Sequence, residues 1–183
     1  MHIRGRKVIL REKLLSDIPE DYAWRVDEEL AELDATAPIQ MSYGEFSRYS
    51  REELFYSNTK SKRLGIDTLG GQHIGNCMYY DLDDKLGQAE MGIMIGDREY
   101  WGKGYGSDVV QALLNHLFST VRLRRVYLHT LNWNHRAQSS FSKAGFRQQD
   151  MVSRAGSDFV RMEVLREEWE NKLNYGDNRG TRN

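Results

Sequence analysis

One stretch near the middle of the chain, residues 100–107, constrains the fold more than any other. It reads Tyr-Trp-Gly-Lys-Gly-Tyr-Gly-Ser and has glycines at three alternate positions. An apolar, strand-like run at 91–95 precedes it. Apolar residues at helical spacing follow it, namely Val110, Leu113, Leu114, Leu117 and Val121. The pattern predicts a strand, a glycine-rich turn and a helix in direct succession.

A turn of this kind can bind an anion. Its glycines let the backbone approach a ligand closely, and the free N–H groups of the first helical turn carry the positive end of the helix dipole. The motif is not a P-loop, because no Gly-Lys-Ser/Thr triplet closes it. It is not a dinucleotide-binding turn either, because the third glycine follows the second too closely. A plain strand-to-helix connection is the alternative.

Composition and charge exclude several classes of protein. The 183 residues include 26 basic and 27 acidic side chains, a net charge of -1, so nothing attracts the chain to nucleic acid or to an anionic membrane. No apolar run approaches the roughly 20 residues of a membrane span. The single cysteine, Cys77, excludes an intrachain disulfide and fits a cytoplasmic protein. We expect one domain over residues 1–173 and a disordered tail at 174–183.

Strand and helix patterns alternate along the rest of the chain. Strands are predicted at 8–11, from 62 to 68, and at 74–80, 88–95, 125–131, 146–152 and 160–164. Helices are predicted from a cap at Ser16 or Asp17 to about Leu30, at 42–56, from the glycine turn to about 120, and at 135–144. The strands between 62 and 95 form an antiparallel meander, and the strands at 88–95 and 125–131 form a parallel crossover.

A second motif follows the crossover at residues 131–146. It contains Asn134 between a predicted strand and a predicted helix, where the side-chain amide can cap the helix or bind a ligand. Asn132 competes for the same duty. Gly145 stands where the C-terminus of a helix favours glycine.

Together these motifs resemble the GCN5-related N-acetyltransferase (GNAT) superfamily, in particular the branch of ribosomal-protein alanine acetyltransferases and polyamine acetyltransferases. The resemblance extends from residues 5–11, through both motifs, to Arg-Glu-Glu-Trp at 166–169. It implies a mixed, mostly antiparallel, twisted sheet of roughly six or seven strands, splayed in the middle and flanked by about four helices. It also implies an enzyme that transfers an acetyl group from acetyl-CoA to a primary amine, without a metal.

The resemblance further implies which residues bind the cosubstrate. The glycine turn would hold the CoA pyrophosphate, and the pantetheine arm would pair with the strand ending at Met94 and Ile95, where it splays from the Tyr127 strand. Asn134 would hydrogen-bond this arm. The lysines could contact phosphates or be solvated surface residues. The complete set is Met94, Ile95, Trp101, Gly102, Lys103, Gly104, Tyr105, Gly106, Ser107, Asn134 and Lys143.

The resemblance says less about the catalytic residues than about the residues that bind the cosubstrate. Glu90 is the candidate base, because relatives often carry a glutamate on this strand, although it could instead only bind a cationic substrate. Phe141 stands where many relatives have a tyrosine acid, so that role does not transfer. The neighbouring Ser140 is the candidate acid, and a thiolate can also leave without one. The five histidines show no metal-binding spacing and are interpreted as structural.

The acceptor stays open at this point. It could be a small amine or a protein N-terminus, bound by the first two helices, the loop at 34–42 and the C-terminal hairpin. Five acidic residues there suit a cationic acceptor or form a solvated helix face, namely Asp27, Glu28, Glu29, Glu32 and Asp34. The alternative function is an acyl-CoA-binding regulatory module that has lost catalysis. Members of the superfamily often form homodimers, which this sequence does not decide.

Overall fold

The computed structural model describes residues 1–55 and 59–177. Within these ranges the strands are β1 (His2–Arg4), β2 (Val8–Glu12), β3 (Lys62–Thr68), β4 (His73–Asp83), β5 (Gln88–Ile95), β6 (Arg125–Leu131), β7 (Arg147–Arg154) and β8 (Ser157–Leu165). The α-helices are α1 (Ile18–Val26), α2 (Glu28–Leu33), α3 (Tyr43–Phe55), α4 (Tyr105–Ser119), α5 (His135–Ala144) and α6 (Arg166–Asp177). Short 3-10 turns lie at Leu15–Asp17 and Arg98–Tyr100.

The strands form one mixed sheet in the order β1-β2-β3-β4-β5-β6-β8-β7. Each pair of neighbours is antiparallel except β5 and β6, which are parallel and flank α4 as a crossover. The predicted fold class, meander and crossover are therefore confirmed. The predicted numbers of strands and helices are too low, because the described chain has eight strands and six α-helices.

The missed elements have simple physical explanations. Strand β1 has only three residues, too few for an alternating pattern. The sequence predicts α1 and α2 as one helix, because apolar residues continue to Leu30, but the backbone becomes extended at Asp27 (φ −75°, ψ 123°). The Asp27 carboxylate then accepts from the Leu30 N–H at 2.9 Å and caps a new helix.

The C-terminal part of the chain extends the helical content. Helix α6 runs to Asp177 and so includes residues 174–177 of the expected tail, while residues 178–183 lie outside the described ranges. The helix predicted at 42–56 is α3, and its expected last residue, Tyr56, also lies outside them. No helix in the described ranges combines the length and apolarity needed to cross a membrane.

The two faces of the sheet differ in character. Because alternate strand residues point to opposite faces, Leu10 and Cys77 join the buried apolar cluster with α4, and Phe118 of α4 packs on Trp169 of α6. The opposite face is polar. Over β2 to β4 it is covered by α1, whose Asp21 accepts from Asn76 at 2.7 Å.

A buried ionic cluster fastens α1 to this polar face. The Arg11 guanidinium donates to both carboxylate oxygens of Asp17, at 2.8 Å each, and to both of Asp67, at 2.7 and 2.8 Å. Contrary to the prediction, the Asp17 side chain does not cap α1. Its carboxylate binds Arg11 and the Leu14 N–H instead. A Cβ at position 65 would lie 2.7 Å from the Arg11 guanidinium, so Gly65 makes room for the pair.

We predict that Asp17→Asn destabilises the fold by about 3–5 kcal/mol, because it leaves the buried Arg11 charge without one partner. Burial by itself would raise the pKa of Asp17, but hydrogen bonds from Arg11 and Leu14 and the charge of Lys13 lower it from 3.8 to about 2. A depressed carboxylate pKa stabilises the fold above the unfolded pKa. That contribution disappears as the pH falls through about 2.

Thermal and urea unfolding of both forms between pH 7 and 2 test this prediction. At neutral pH the Tm should fall by about 10 °C, and the gap between the two proteins should close between pH 4 and 2. Glu12→Gln, at an exposed position of β2, is the control and should change little. Equal stability of wild type and Asp17→Asn at pH 7 would contradict the prediction.

Candidate active site

The glycine turn joins β5 to α4 as predicted. Gly102 (φ +70°) and Gly104 (φ +82°) adopt left-handed conformations that favour glycine. A Cβ added at Gly102 or Gly106 would meet no atom within 4 Å, so space is open above the turn. Gly104 is the N-cap of α4, and no side chain caps this helix. The first N–H groups of α4 therefore lack intrahelical acceptors, and this geometry suits an anion.

The N-terminal segment adds a cation beside the turn. The Asp108 carboxylate accepts from the backbone N–H groups of residues 6–8, at distances of 2.7 to 3.2 Å. This contact places Lys7 so that its Nζ donates to the Lys103 carbonyl at 2.8 Å and lies 5.5 Å from the Tyr105 ring centroid. The Lys103 side chain is exposed. Sequence reasoning missed Lys7, because nothing local links residue 7 to a turn about 96 residues later.

Trp101 fixes the end of β5 to the turn. Its indole Nε1 donates to the Ile95 carbonyl at 2.7 Å. The Arg136 guanidinium carbon lies 4.1 Å from the indole centroid, and that of Arg98 lies 5.5 Å from it. The Ile95 carbonyl is thus already engaged within the protein, which the sequence could not show.

Strands β5 and β6 separate in the middle of the sheet. Their parallel pairing ends at Glu90 and Tyr127. Strand β5 stays paired with β4 through Ile95, and β6 stays paired with β8 through Leu131. Beyond Glu90, the facing edges of β5, including Met94, and of β6 have no strand partner across the gap in the described chain. The splay implied by the resemblance is present.

The second motif places Asn134 at the N-cap of α5. Its Oδ1 accepts from the Ala137 N–H at 3.1 Å, which leaves its amide nitrogen as a donor. Asn132 does not compete for this cap; its backbone N–H donates to the Asp158 carbonyl at 2.9 Å. Gly145 ends the helix with a φ of +113°, as predicted.

The remaining predicted residues of α5 lie close to α4. The Ser140 Oγ is 3.0 Å from the Ser107 Oγ, in the first turn of α4. Phe141 is buried with its ring 5.8 Å from that of Phe146, so it has no polar group to offer a site. Lys143 is exposed in the last turn of α5. Ser140 is thereby tied to the glycine-turn end of the site.

Glu90 is 6% exposed and contacts a histidine. Its Oε1 lies 2.7 Å from the His129 Nδ1, and the His129 Nε2 lies 3.3 Å from a guanidinium nitrogen of Arg154. A guanidinium can only donate, so Nε2 is the acceptor. The proton therefore sits on Nδ1 and is donated to Glu90. The three residues form a chain from Arg154 through His129 to the carboxylate.

Two tyrosines flank the same carboxylate. Tyr80 pairs with Glu90 across β4 and β5, and Tyr127 pairs with it across β5 and β6. Burial, followed by the negative charge of Glu90, raises the pKa of both phenols. Both therefore stay protonated and uncharged around neutral pH.

The sequence does not reveal the contact of His129 with Glu90, since it offers no reason to interpret any of the five histidines as other than structural. One signal was available. Tyr127 and His129 are two residues apart on one strand, so their side chains point to the same face. The register that brings Glu90 to the same face depends on how the crossover pairs its two strands, which local patterns do not encode. The described ranges contain no group of three or more side chains suited to a metal ion.

The chain is similar to known proteins in sequence and in fold. The family described as "Acetyltransferase (GNAT) domain" matches residues 7–147. The chain is 40% identical over 53 residues to an uncharacterized N-acetyltransferase p20 from Bacillus licheniformis, covering 29% of each protein. It is 32% identical over 82 residues to a spermine/spermidine N(1)-acetyltransferase from Bacillus subtilis, covering 42% of this chain and 54% of the relative. The matches thus span about a third to a half of these relatives.

Solved structures share the fold. The spermidine N-acetyltransferase from Vibrio cholerae in complex with CoA and spermine superposes with a TM-score of 0.78 at 19% identity, over 90% of this chain and 98% of that one. An acetyltransferase from Bacillus anthracis superposes with a TM-score of 0.77 at 16% identity, over 91% and 99%.

We predict that His129 is held as the Nδ1–H tautomer in the free protein, because Glu90 accepts from Nδ1 and Arg154 donates to Nε2. Nitrogen-15 NMR of the imidazole rings distinguishes the two tautomers. Glu90→Leu should release this preference, and His2→Gln identifies the exposed N-terminal histidine in the spectra. An Nε2–H tautomer in the unaltered protein would contradict the arrangement.

Proposed function

The chain belongs to the GNAT acetyltransferase family, and we propose that it transfers the acetyl group of acetyl-CoA to a primary amine of a small molecule. One observation carries the proposal. Glu90, held by His129, lies where β5 and β6 separate, and the glycine turn lies just beyond the other end of the same strand edge. The six residues from Glu90 to Ile95 span about 17 Å of strand, which suits an extended thioester-bearing arm.

The donor would be bound mainly by backbone. The N–H groups of the turn and of the first residues of α4, at 102–107, would bind the pyrophosphate, assisted by the charges of Lys7 and Lys103. The free β5 edge around Met94 would pair with the pantetheine arm, and the spare amide nitrogen of Asn134 would donate to it. Since the Ile95 carbonyl already accepts from Trp101, we assign no pantetheine bond to that carbonyl.

Glu90 would act as the base. It accepts the proton that the amine nitrogen loses as this nitrogen attacks the thioester carbonyl carbon. A C–N bond forms and the C–S bond breaks, so that the products are an N-acetyl amine and CoA. The thiolate takes a proton from solvent, because Ser140 is engaged with Ser107 and ordinary thiol pKa values lie near 8.5. His129 would position Glu90 rather than touch the substrate.

The small-molecule acceptor is favoured by relatives whose names specify spermine or spermidine. A cytoplasmic setting is part of the proposal. Cys77 takes no role in it, since burial raises the pKa of this thiol to about 12 and no thiolate forms near neutral pH. The alternative, an acyl-CoA-binding module without catalysis, predicts acetyl-CoA binding with no thiol release on any amine.

We predict that Gly106→Val abolishes CoA binding without unfolding the protein. A Cβ at this position meets no protein atom within 4 Å, so the added side chain occupies only the space above the turn. Calorimetric titration with CoA should show a loss of at least about 100-fold in affinity, with an unchanged Tm. Gly44→Val is the matched control, because Gly44 in α3 also has nothing within 4 Å and lies away from the turn. Retained CoA binding by Gly106→Val would refute the proposed pyrophosphate site at the glycine turn.

We predict that Glu90→Gln lowers kcat by about 10²- to 10⁴-fold, because the amide cannot accept the proton. CoA affinity should stay within about twofold, because Glu90 lies at the far end of β5 from the turn. Thiol release measured from pH 6 to 10 gives the profile. Unchanged turnover across this range would remove Glu90 from the mechanism.

His129→Leu separates positioning from catalysis. It should lower kcat less than Glu90→Gln does and should change the pH profile, because Glu90 remains but loses the hydrogen bond from the imidazole. His2→Gln, at an exposed position of β1, is the control. A pH profile identical to wild type would show that His129 does not act through Glu90.

A further inference from the structure

On the sheet face around Glu90, negative and positive side chains lie on opposite sides of this residue. Two carboxylates lie on the β4–β5 side, where Glu90 is joined by Asp81, whose charge helps to raise the pKa of Tyr80 and Tyr127 after burial and Glu90. A third, Glu163 of β8, is paired with Arg125 at 3.2 Å. Two arginines lie on the β7–β8 side, where Arg154 and Arg161 belong to the hairpin strands. An acceptor at Glu90 would therefore meet negative charge on one side and positive charge on the other.

Arg161 is incompletely neutralised. Its guanidinium carbon lies 5.2 Å from the Tyr127 ring centroid, beside the Glu90 site. Its nearest carboxylate oxygen belongs to Glu163 at 3.8 Å, and Arg125 binds that same oxygen more closely, at 3.2 Å. The Arg161 Nε is buried and has no hydrogen-bond partner in the described chain. Its charge is therefore available to a ligand anion.

Arg154 is available as well. Its side chain is exposed, and its guanidinium contacts the His129 Nε2 at 3.3 Å. Within residues 1–55 and 59–177 it takes part in no ion pair with a carboxylate. Its guanidinium and the Glu90 carboxylate are separated by one imidazole ring and two hydrogen bonds, a span that a compact molecule with two charged groups can bridge.

The acidic residues expected to attract a cationic acceptor are largely engaged elsewhere. Arg98 binds Asp27 at 2.8 Å and Glu29 at 2.7 Å, and Arg25 lies 3.4 Å from Asp34. A long polyamine at Glu90 would also direct a second ammonium group toward arginines, and like charges repel. The charges at this site therefore do not match a polycation.

We propose that the preferred acceptor is a compact amine that also carries an anionic group, a carboxylate or a phosphate. The amine would lie at Glu90, and the anion would bind the guanidiniums of Arg154 and Arg161, which suit planar or tetrahedral oxyanions. The inference rests on the proposed function, since it names the substrate class of the same site. It departs from the polyamines named for the relatives.

Matched amine pairs test the inference. Thiol release is measured for lysine against cadaverine, which differ by the carboxylate, and for glucosamine 6-phosphate against glucosamine, which differ by the phosphate. Spermidine completes the panel. The anionic member of at least one pair should have a kcat/KM roughly 10- to 100-fold higher, and the pair that shows the gap identifies the anion.

Two arginine variants locate the effect. Arg154→Gln and Arg161→Gln should each raise KM for the anionic amine by roughly 10-fold or more relative to KM for its partner without the anion. Because Arg154 also contacts His129, an effect of Arg154→Gln on Glu90 falls on both members of a pair alike, and the ratio of their KM values is the readout. Arg147→Gln, on the same strand β7 but exposed and paired with Glu168, is the control. If Arg161→Gln fails to fold, the KM values of Arg154→Gln, changed at an exposed position, still test the inference. A KM unaffected by Arg154→Gln overturns the assignment.

The possible results of the amine panel distinguish a failure of this inference from a failure of the proposed function on which it rests. No preference for the anionic member in either pair, or faster acetylation of spermidine than of both anionic amines, overturns the inference and leaves acetyl transfer intact. If no amine is turned over, the proposed function fails, and calorimetric titration of the same pairs into the CoA complex decides the inference alone. Tighter binding of the anionic members supports it, and equal binding or none overturns it.

Discussion

The separation of β5 from β6 is the constraint on which the rest of the structure depends. Backbone N–H and C=O groups left unpaired inside a sheet destabilise it, so a gap in the middle of a sheet must be supported from both sides. Here β4 holds β5 along its length, and β8 holds β6 through Leu131. The α4 crossover ties both strands to one apolar core. The two edges can then stay apart and offer their polar groups to an extended ligand.

Trp101 makes the gap and the glycine turn one unit. By donating to the Ile95 carbonyl, its indole fixes where β5 ends and therefore where the turn begins. The arginines over its ring, Arg98 and Arg136, come from the segment before the turn and from α5, so the indole also joins α5 to this end of the strand. Trp101 thus connects the anion site to the strand edge.

The sequence could predict what local patterns control. The individual strands and helices, the turn and the Asn134 cap each depend on neighbouring residues, and the meander and the crossover follow from the order of these elements. What it could not predict depends on how the elements pack against one another: the pairing of Glu90 with His129, the approach of Lys7 to the turn, and the use of Asp17 for Arg11 rather than as a cap. Strand β1 could not be predicted, because three residues are too few to show an alternating pattern.

The same division between local and distant residues explains why donor and acceptor specificity can diverge. The proposed donor site lies mostly in two continuous motifs and uses backbone atoms, which many sequences can supply. The proposed acceptor site is assembled from β4, β5, β6 and the β7–β8 hairpin, and its character depends on single side chains such as Arg154 and Arg161. One exchange there reverses the local charge without disturbing the turn. A fold shared with polyamine acetyltransferases therefore leaves the acceptor to be decided by the charges on this hairpin.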